Sequence, residues 1–414
     1  MTSKDWVSAE KQDKNSDQIE ELIPNLRFNE FHKKWFKYKI KEIGTVKTGK
    51  TPSTANKSYF NNGNIIWVTP GDISNKKFVN ESSRYLTEEG LKKSIKLPKN
   101  AILVTCIGAT IGKICMINKK GSCNQQINAI IPNEKYNPHF IYYVIEKNSP
   151  KFKLYAGNTA TPIINKKFFE NLSFYFPSIN EQNKIGKFLS LIDKKIELME
   201  RKHKLIKKYK NGLMHEIFTQ NIKFNNNELC LFKLGEIVEL MRNGSNELQV
   251  NFKTEFPVTR IETISKGNIN FDKVGFVETI DKSYQLKKGD ILLSNINSLK
   301  YIGNCVYFDT DKILYHGMNL MLIRFKENFN KKFLYYYIKY HKIWFQRMAC
   351  QAVNQASINQ TSLKKFPFVI PKLKIDQDKI ADFLSKIDNK IDSVEQQLEK
   401  IKEFKKYLLQ QMFV

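Results

Sequence analysis

The amino-acid sequence contains the same long apolar pattern twice, and this duplication limits the chain to a two-part fold. Ile185–Asp193 aligns with Ile380–Asp388 at an offset of 195 residues, with six identical pairs. Beyond these segments the apolar positions continue in step, at the spacings of three, four and seven residues that are typical of a coiled coil. Each pattern predicts a helix of roughly 40 residues, which would be about 60 Å long.

The two predicted helices carry matching apolar stripes, and we predict that they pair with each other within one chain. The predicted seam comprises Ile185, Leu189, Ile192, Ile196, Met199, Ile206 and Leu213 in the first helix and Ile380, Leu384, Ile387, Ile391, Val394, Ile401 and Leu408 in the second. The same ladder aligns Tyr209 with Phe404 and Phe218 with Phe413. Antiparallel pairing would relate the two halves by a pseudo-twofold axis and place one globular domain at each end of a rod. Two alternatives stay open: each helix packs on its own domain, or the helices form a coiled-coil dimer.

The rest of each half is duplicated less closely. Lys39–Ile43 parallels Lys233–Ile237, and Phe140–Ile145 parallels Phe333–Ile338. Short β-branched or aromatic runs are separated by Gly, Asn and Pro, and a helix rich in aromatic residues follows them. The predicted fold class is α+β: two similar α/β domains separated by two long helices that pair as an antiparallel coiled coil. The predicted segments are a polar N-terminal segment (1–30), the first domain (31–180), the central helix (181–222), the second domain (223–375) and the C-terminal helix (376–414).

The charge of the chain favours a nucleic-acid partner. It has 68 Lys and Arg against 41 Asp and Glu, a net charge of +27, while 41% of its residues are hydrophobic. A folded chain with such a positive excess typically binds nucleic acid, and a membrane surface is the second candidate. No segment approaches 18 uncharged apolar residues and the polar N-terminus lacks a signal-peptide pattern, so we expect a cytoplasmic protein without a membrane span. The six cysteines form no CxxC pair, and we expect them to be reduced and semi-buried.

Several short motifs accompany the duplication. They are Pro24–Phe28, Gly49–Ser53, Trp67–Asp72, and the segment Pro177…Glu181-Gln182…Ile185 with its echo Pro371…Asp376-Gln377…Ile380. In this two-repeat layout they resemble the specificity subunit of a type I restriction–modification system, over nearly the whole chain from about Pro24 onward. The second repeat departs from the first in having Asp376 where the first has Glu181.

The resemblance implies a non-catalytic protein that has no cofactor or metal of its own. Its two globular units would be target recognition domains, each reading one half of an asymmetric bipartite site in double-stranded DNA. The paired helices would set the spacer between the halves and dock two methyltransferase subunits. Those subunits would methylate adenine N6 with S-adenosylmethionine after flipping the base, and two restriction subunits would use ATP and Mg for translocation and cleavage.

Polar loops between the strands are the natural places for contacts with DNA, because the strands themselves pack into the core. In the first domain the candidates are Lys47, Lys50, Thr51, Ser53, Lys57 and Thr69, with Asn158 and Thr159 in a second loop. In the second domain the candidates are Arg242, Asn243, Ser245, Arg260, Asn295, Asn297 and Lys300. Arginine pairs with guanine, and Asn or Gln with adenine, in the major groove. Since Arg84 is the only arginine between Lys37 and Pro177, we expect the first half-site to be read mainly through Lys, Asn, Gln and Thr.

Two motifs imitate enzyme signatures. Asn137–Phe140 resembles the Asn-Pro-Pro-Phe/Tyr loop of amino-methyltransferases, but a Gly-rich cofactor loop is missing and Pro138 suits the start of a helix. Gly108–Lys113 resembles a phosphate-binding loop, but it is one residue short and Ile114 follows where a hydroxyl is needed, so we predict a turn. A self-sufficient adenine methyltransferase is therefore disfavoured, and a coiled-coil scaffold that binds nucleic acid only through charge is the other alternative.

Aromatic and basic clusters have competing interpretations. Trp67, Trp344, Phe345 and Tyr335–Tyr337 could stack on bases, but their spacing is more typical of core residues. The basic run Arg201–Lys210 on the central helix is either a solvated face or a contact with spacer DNA, and both interpretations stay open.

Overall fold

The computed structural model describes residues 23–157, 161–222, 228–265, 267–352 and 355–414. The chain forms two compact units. The first unit comprises the chain up to Glu200 together with Gln396–Val414, and the second unit comprises Arg201–Glu395. Both boundaries fall inside long helices, so each unit contains a part of each long helix.

The first unit combines several small sheets with helices. Its strands are β1 (Phe36–Lys39), β2 (Gly44–Thr48), β3 (Ile65–Val68), β4 (Phe78–Val79), β5 (Tyr85–Leu86), β6 (Ile102–Thr105), β7 (Ile114–Ile117), β8 (Gly121–Cys123), β9 (Ile127–Pro132) and β10 (Ser173–Phe176). Its helices are α1 (Ile40–Ile43), α2 (Glu88–Lys93), α3 (Pro138–Tyr155), α4 (Lys166–Asn171) and the first part of α5 (Ile179–Phe218).

The second unit has a related sequence of elements. Its strands are β11 (Leu229–Lys233), β12 (Val238–Asn243), β13 (Gln249–Val250), β14 (Phe256–Val258), β15 (Gly275–Val277), β16 (Ile291–Leu293), β17 (Ile296–Asn297), β18 (Cys305–Tyr307), β19 (Met321–Phe325), β20 (Cys350–Ala352), β21 (Gln355–Ser357) and β22 (Pro367–Pro371). Its helices are α6 (Leu234–Ile237), α7 (Lys331–Tyr340), α8 (Lys342–Met348), α9 (Gln360–Lys364) and the first part of α10 (Lys374–Gln411).

The internal duplication is visible in the sheets. The first unit has a sheet of order β2-β9-β6-β7-β4, and the second unit has a sheet of order β12-β19-β16-β18. The four strands that correspond pair antiparallel in both sheets, and β4 adds a parallel edge in the first. The pair β1·β10 likewise corresponds to β11·β22. The predicted α+β duplication is therefore confirmed, while the smaller sheets β5-β3-β8 and β13-β15-β14 differ between the units.

Each unit buries one part of each long helix in its hydrophobic core. In the first unit Ile185 and Leu189 of α5 and Leu408 of α10 are buried in one cluster with α3. In the second unit Met214 of α5 and Leu384 of α10 lie in the cluster around α7. Fully burying a side chain of this size contributes roughly 1.5–3 kcal/mol, so the globular cores fix the ends of both helices.

The long helices, of 40 and 38 residues, run antiparallel within each unit. In the first unit Asp193 pairs with Lys405 at 2.8 Å and Glu200 pairs with Lys402 at 2.5 Å. Residues later in α5 therefore pair with residues earlier in α10. The same order is seen in the second unit. The prediction of internal antiparallel pairing is confirmed, and packing of each helix on a domain, which was the alternative, occurs as well.

The predicted seam residues are all buried or half-buried. Two ladder positions were predicted wrongly, because Tyr209 and Phe404 are 59% and 49% exposed. Packing covers only a stripe along each long helix, and these two aromatic positions lie outside it and face solvent. Leu398, which the predicted seam omitted, is buried instead.

The Glu-Gln motif at the start of α5 anchors the helix to its domain. Gln182 accepts a hydrogen bond from the backbone N–H of Asn137 at 3.0 Å and donates one to the carbonyl of Pro177 at 2.9 Å. The buried carboxylate of Glu181 accepts two hydrogen bonds from Arg27, each 2.8 Å long. These contacts give physical roles to the Pro24–Phe28 and Glu-Gln motifs, which hold the entry of α5 in place.

The second unit repeats the glutamine anchor. Gln377 accepts from the backbone N–H of Asn330 at 2.9 Å and donates to the carbonyl of Pro371 at 2.8 Å. Asp376 is buried, as Glu181 is, even though its side chain is shorter. The identical glutamine contacts show that the duplication extends to individual hydrogen bonds.

A polar cluster that is largely shielded from water joins the two long helices in the first unit. Asp193 of α5 accepts a 2.6 Å hydrogen bond from the hydroxyl of Tyr143, and Lys405 of α10 contacts Asp193 and Glu146 at 2.8 Å each. Burial opposes the charge of Lys405, but the two carboxylates raise its pKa overall. Lys77 donates to the same tyrosine hydroxyl at 2.9 Å.

The second unit contains the counterpart of this cluster. Asp388 accepts from the hydroxyl of Tyr336 at 2.7 Å and from Lys210 at 2.5 Å. Lys210 and Lys405 are 195 residues apart, as are Asp388 and Asp193, so the cluster obeys the internal repeat. Lys210 is buried, and burial lowers its pKa. It therefore does not belong to a solvated or DNA-facing basic run, because its charge is used inside the helix pair.

Lys77 should make the stability of the chain depend on pH. Burial lowers its pKa to about 8 from the ordinary 10.5, although the nearby Asp193 carboxylate opposes this effect. Between these two values the unfolded chain binds the extra proton, so the contribution of Lys77 to stability rises with pH. Relative to Lys77→Met, the wild-type free energy of unfolding should gain about 2 kcal/mol from about pH 7.5 to about pH 9.5, measured by urea denaturation.

The control is Lys76→Met, which changes the exposed neighbouring lysine and should shift stability equally at both pH values. A difference between wild type and Lys77→Met that does not change with pH would show that Lys77 keeps an ordinary pKa.

Candidate nucleic-acid interface

The loop that follows β2 is pinned to the core by a glycine. The backbone N–H of Gly49 donates to the carbonyl of Ile127 at 2.9 Å, and that of Lys50 donates to the carbonyl of Cys123 at 3.0 Å. A Cβ atom at Gly49 would lie 1.9 Å from the carbonyl oxygen of Asn124, so a larger residue cannot fit without moving the backbone. The side chains after Gly49 are thus presented from a fixed backbone.

A second loop, which follows β3, is organised by Asp72. Its carboxylate accepts hydrogen bonds from the backbone N–H and hydroxyl of Thr69, at 2.8 and 2.7 Å, and from the backbone N–H of Ser83 at 2.8 Å. Burial alone would raise the pKa of Asp72, but the hydrogen bonds from Ser83 and Thr69 lower it overall. The Trp67–Asp72 motif therefore ties the loop to the strand that begins at Tyr85.

The first-unit candidates differ in their availability to DNA. Lys50, Ser53 and Lys57 are exposed outside the strands. Lys47 is exposed too, but it lies on strand β2 and not on a loop, because the strand continues to Thr48.

Two further first-unit candidates are already engaged, and two cannot be placed. Thr51 is half-buried and donates to Gln125, while Thr69 is half-buried with its hydroxyl bound to Asp72, so Thr69 shapes a turn. Asn158 and Thr159 lie outside the described residues.

A polar cleft in the first unit contains residues that the sequence analysis did not single out. It is lined by Thr54, Lys57, Phe60, Asn61, Asn62, Gly63, Ser83, Arg84 and Tyr85. Arg84 is exposed, and its guanidinium carbon lies 6.0 Å from the centroid of the Phe60 ring. The one arginine of this part of the sequence thus lines the same cleft as the predicted Lys57, although the two residues are 27 positions apart in the sequence.

In the second unit two candidates are buried and were predicted wrongly as surface residues. Ser245 is 7% exposed and forms a bridge with Gly317. Asn295 is 3% exposed, and its side-chain amide donates to the carbonyl of Ile358 at 3.4 Å. Asn295 follows the buried strand β16, whereas Ser245 follows β12, which ends at the exposed Asn243. The polarity of Ser and Asn does not reveal whether the backbone beside them lies inside the core.

Arg242 lies on strand β12, not on a loop. Its guanidinium carbon is 3.9 Å from the centroid of the Tyr284 ring, and the guanidinium donates to the backbone carbonyl of Ser283. An arginine stacked on an aromatic ring is held rigidly. Such an arginine is able to donate two hydrogen bonds to one base, and it is equally able to serve a purely structural role.

The remaining second-unit candidates are at least partly accessible. Asn243 and Lys300 are exposed, and Arg260 is half-buried with its Nε atom donating to Gln249. Asn297 is half-buried on strand β17 and donates to the hydroxyl of Ser294 at 3.3 Å.

The motifs that imitate enzyme signatures have structural roles. Asn137 accepts a hydrogen bond from the backbone N–H of Phe140 at 3.0 Å and so caps α3, whose first residue is Pro138. Gly108 and Gly112 both adopt positive φ in the turn between β6 and β7. The predictions of a helix start and a turn are confirmed.

The aromatic residues and cysteines are mostly core residues. Trp67, Phe345 and Tyr335–Tyr337 are buried, and Trp344 is half-buried against the second core. The cysteines are free; Cys350 is exposed, whereas burial raises the pKa of Cys106 and of Cys305 to about 12.

The acidic, histidine and cysteine side chains of the described residues form no group of three or more that could hold a metal ion. No helix in the described ranges is both long enough and apolar enough to span a bilayer.

Comparison with known proteins identifies the family. The family model for the type I restriction modification DNA specificity domain matches the chain twice, at residues 32–208 and 226–403. The chain belongs to this family. The two matches correspond to the two halves of the internal repeat, so each half is one specificity domain with a share of the long helices.

Two curated relatives are specificity subunits of type I restriction enzymes, and this chain matches part of each. The chain is 40% identical over 189 residues to the specificity subunit named for the type I restriction enzyme MjaX of Methanocaldococcus jannaschii, and the match spans 44% of each protein. It is 28% identical to the MjaIX specificity subunit of the same organism, over 62% of this chain and 64% of that protein. The chain thus spans less than two thirds of the length of these relatives.

A solved structure shows the same fold over nearly the whole length. The S subunit of a type I restriction–modification system from M. genitalium superposes with a TM-score of 0.66 at 18% identity, covering 95% of this chain and 99% of that one. The architecture of two specificity domains and two long helices is therefore common to both proteins.

The buried and exposed second-unit candidates should respond differently to mutation. Asn295→Ala should lower the free energy of unfolding by about 1 kcal/mol, because the carbonyl of Ile358 loses its donor and a small cavity forms, while removal of the unpartnered Oδ1 atom offsets part of this cost. Asn243→Ala removes an exposed amide of the same type and should change stability by less than about 0.5 kcal/mol. Urea denaturation of the full chain measures both, and equal effects would contradict the assignment of Asn295 to the core.

Proposed function

We propose that this chain is the DNA specificity subunit of a type I restriction–modification complex and that each unit reads one half of an asymmetric bipartite site. The observation that carries the proposal is that the two units share their main framework but differ in their smaller sheets. Their main sheets, helix anchors and lysine–aspartate contacts correspond. Their smaller sheets and the polar side chains around them do not, so two similar frameworks present different chemistry to DNA.

The charge supports DNA as the ligand. The net charge of +27 gives a long-range attraction to phosphates, and exposed lysines such as Lys47 and Lys50 add contacts that do not depend on sequence. Sequence would be read by side chains with two donors or acceptors, which include Arg260, Asn243 and the residues of the first-unit cleft.

Membership of the family supports the partners that we propose. Two methyltransferase subunits would dock on the paired helices and methylate adenine N6 with S-adenosylmethionine, and two restriction subunits would supply ATP-driven cleavage. In this scheme the present chain supplies no reacting group; it positions the methyltransferases over adenines at a fixed distance from the bases it reads.

The deciding experiment maps N6-methyladenine across the genome of a host that expresses this chain with a methyltransferase subunit of the same system. We expect one split motif with two unlike halves and a gap of fixed length. Binding that is equally strong on any duplex, without a methylation motif, would favour a scaffold that binds nucleic acid only through charge. Methylation by this chain in the absence of its partner would identify a self-sufficient methyltransferase.

The helix pair should act as a ruler for the gap. Four residues inserted after Arg201 in α5, with four inserted after Gln397 in α10, lengthen each helix by about 6 Å and rotate it by about 40°. One base pair corresponds to about 3.4 Å and about 34°, so the gap should grow by one or two base pairs while both half-sites are retained.

The methylation map of the insertion variant measures this change. The same four residues inserted after Lys119, in the exposed turn between β7 and β8, should leave the gap unchanged. A variant with an altered half-site and an unaltered gap would contradict the ruler.

A further inference from the structure

The polar cleft of the first unit has the chemistry of a base-reading site. Its lining residues include two cations, Lys57 and Arg84, and the amides of Asn61 and Asn62, whereas none of the nine lining residues has a carboxylate. Lys57 and Arg84 have no ion-pair partner among the described residues. Their donors are therefore available to an anionic, hydrogen-bonding ligand, and DNA has both properties.

The cleft is built on rigid supports. The Phe60 ring beside Arg84 packs edge-on against the buried ring of Trp67, with centroids 5.9 Å apart. Ser83, which precedes Arg84, is held by the Asp72 carboxylate at 2.8 Å. A side chain that reads a base needs such support, because ordering a mobile arginine on binding would offset the gain from its hydrogen bonds.

The opposite wall of the cleft is fixed to the same framework. Asn56 caps the short 3-10 helix Lys57–Tyr59 by accepting from the backbone N–H of Ser58 at 3.0 Å. Thr87 then bridges the walls, since its hydroxyl donates to the carbonyl of Ser58 at 2.9 Å and its N–H donates to the carbonyl of Tyr59 at 3.0 Å. Lys57 and Arg84 therefore keep a defined separation although they belong to different segments.

We infer that Arg84 is a specificity-determining residue of the first unit and that it reads a guanine of one half-site through the major groove, with Lys57 on an adjacent phosphate. The inference rests on the proposed function, because it names the base-contacting residue of one of the two proposed recognition domains. It adds an arginine to the half-site that the sequence analysis expects to be read mainly through Lys, Asn, Gln and Thr. The planar guanidinium offers two parallel donors to O6 and N7 of guanine, an arrangement that no other base matches.

The test compares methylation motifs in cells that express the methyltransferase partner with the wild-type chain, Arg84→Ala, Arg84→Lys or Arg347→Ala. We expect Arg84→Ala to lose at least about tenfold discrimination at one G·C position of one half-site, while the gap and the other half-site stay unchanged. Arg84→Lys should relax the same position, since the ammonium lacks the planar fork. Arg347, which is exposed on α8 of the second unit, should tolerate alanine without any change of motif.

Three results would overturn the inference. One is an unchanged motif with undiminished methylation in Arg84→Ala. Another is a uniform loss of methylation at all sites with the motif unchanged, which identifies a phosphate contact. The third is a loss of discrimination in Arg84→Ala at a position that is not a G·C pair in the wild-type half-site. If Arg84→Ala does not fold, as judged by thermal denaturation of the full chain, Arg84→Lys decides the question by the same criteria. Absence of a split motif in the wild-type map is a separate result, which would refute the proposed function itself.

Discussion

The pairing of the two long helices depends on a lysine of one helix that contacts an aspartate of the other at a site largely shielded from water. Lys405 contacts Asp193 in the first unit, and Lys210 contacts Asp388 in the second. An apolar seam alone allows neighbouring registers, because one leucine or isoleucine can replace another in the same hole. Lys210 is buried and Lys405 is half-buried, so a register that separates either lysine from its aspartate leaves a partly desolvated charge without a partner, which is unfavourable. The lysine–aspartate contacts therefore select one register for the pairing of the two helices.

The duplication divides the chain into a framework that both units share and smaller sheets that differ between them. Corresponding hydrogen bonds, such as those of Gln182 and Gln377, fix each domain on its helix in the same way. The smaller sheets, which are free of this constraint, differ in strand order and in their polar residues. Substitutions in these smaller sheets can therefore change the surface of one unit without altering its main sheet or the hydrogen bonds that anchor the long helix.

Much of the fold could be predicted from the sequence, and much less of the candidate site. The seam, the caps and the aromatic core follow from periodicity and from side-chain size, so residues such as Leu384 and Tyr336 were placed correctly in the core. The predicted DNA contacts rest on polarity and on a predicted position between strands, and some core residues share both properties. Asn295 is one of these and is buried, whereas Arg84, which is not among the predicted contacts, lies in a cleft with Lys57.

The sequence by itself determined the two long helices, the twofold repeat, the positive charge and the family, because each of these is a property of local pattern or of composition. The tertiary structure alone decided which charged groups are used inside the protein. Lys207, Lys208 and Lys210 belong to one basic run, yet only Lys210 among them is buried. Its partner Asp388 lies 178 positions away. The free energy of a buried charge is set by its distance from such a partner, and folding alone brings the two together.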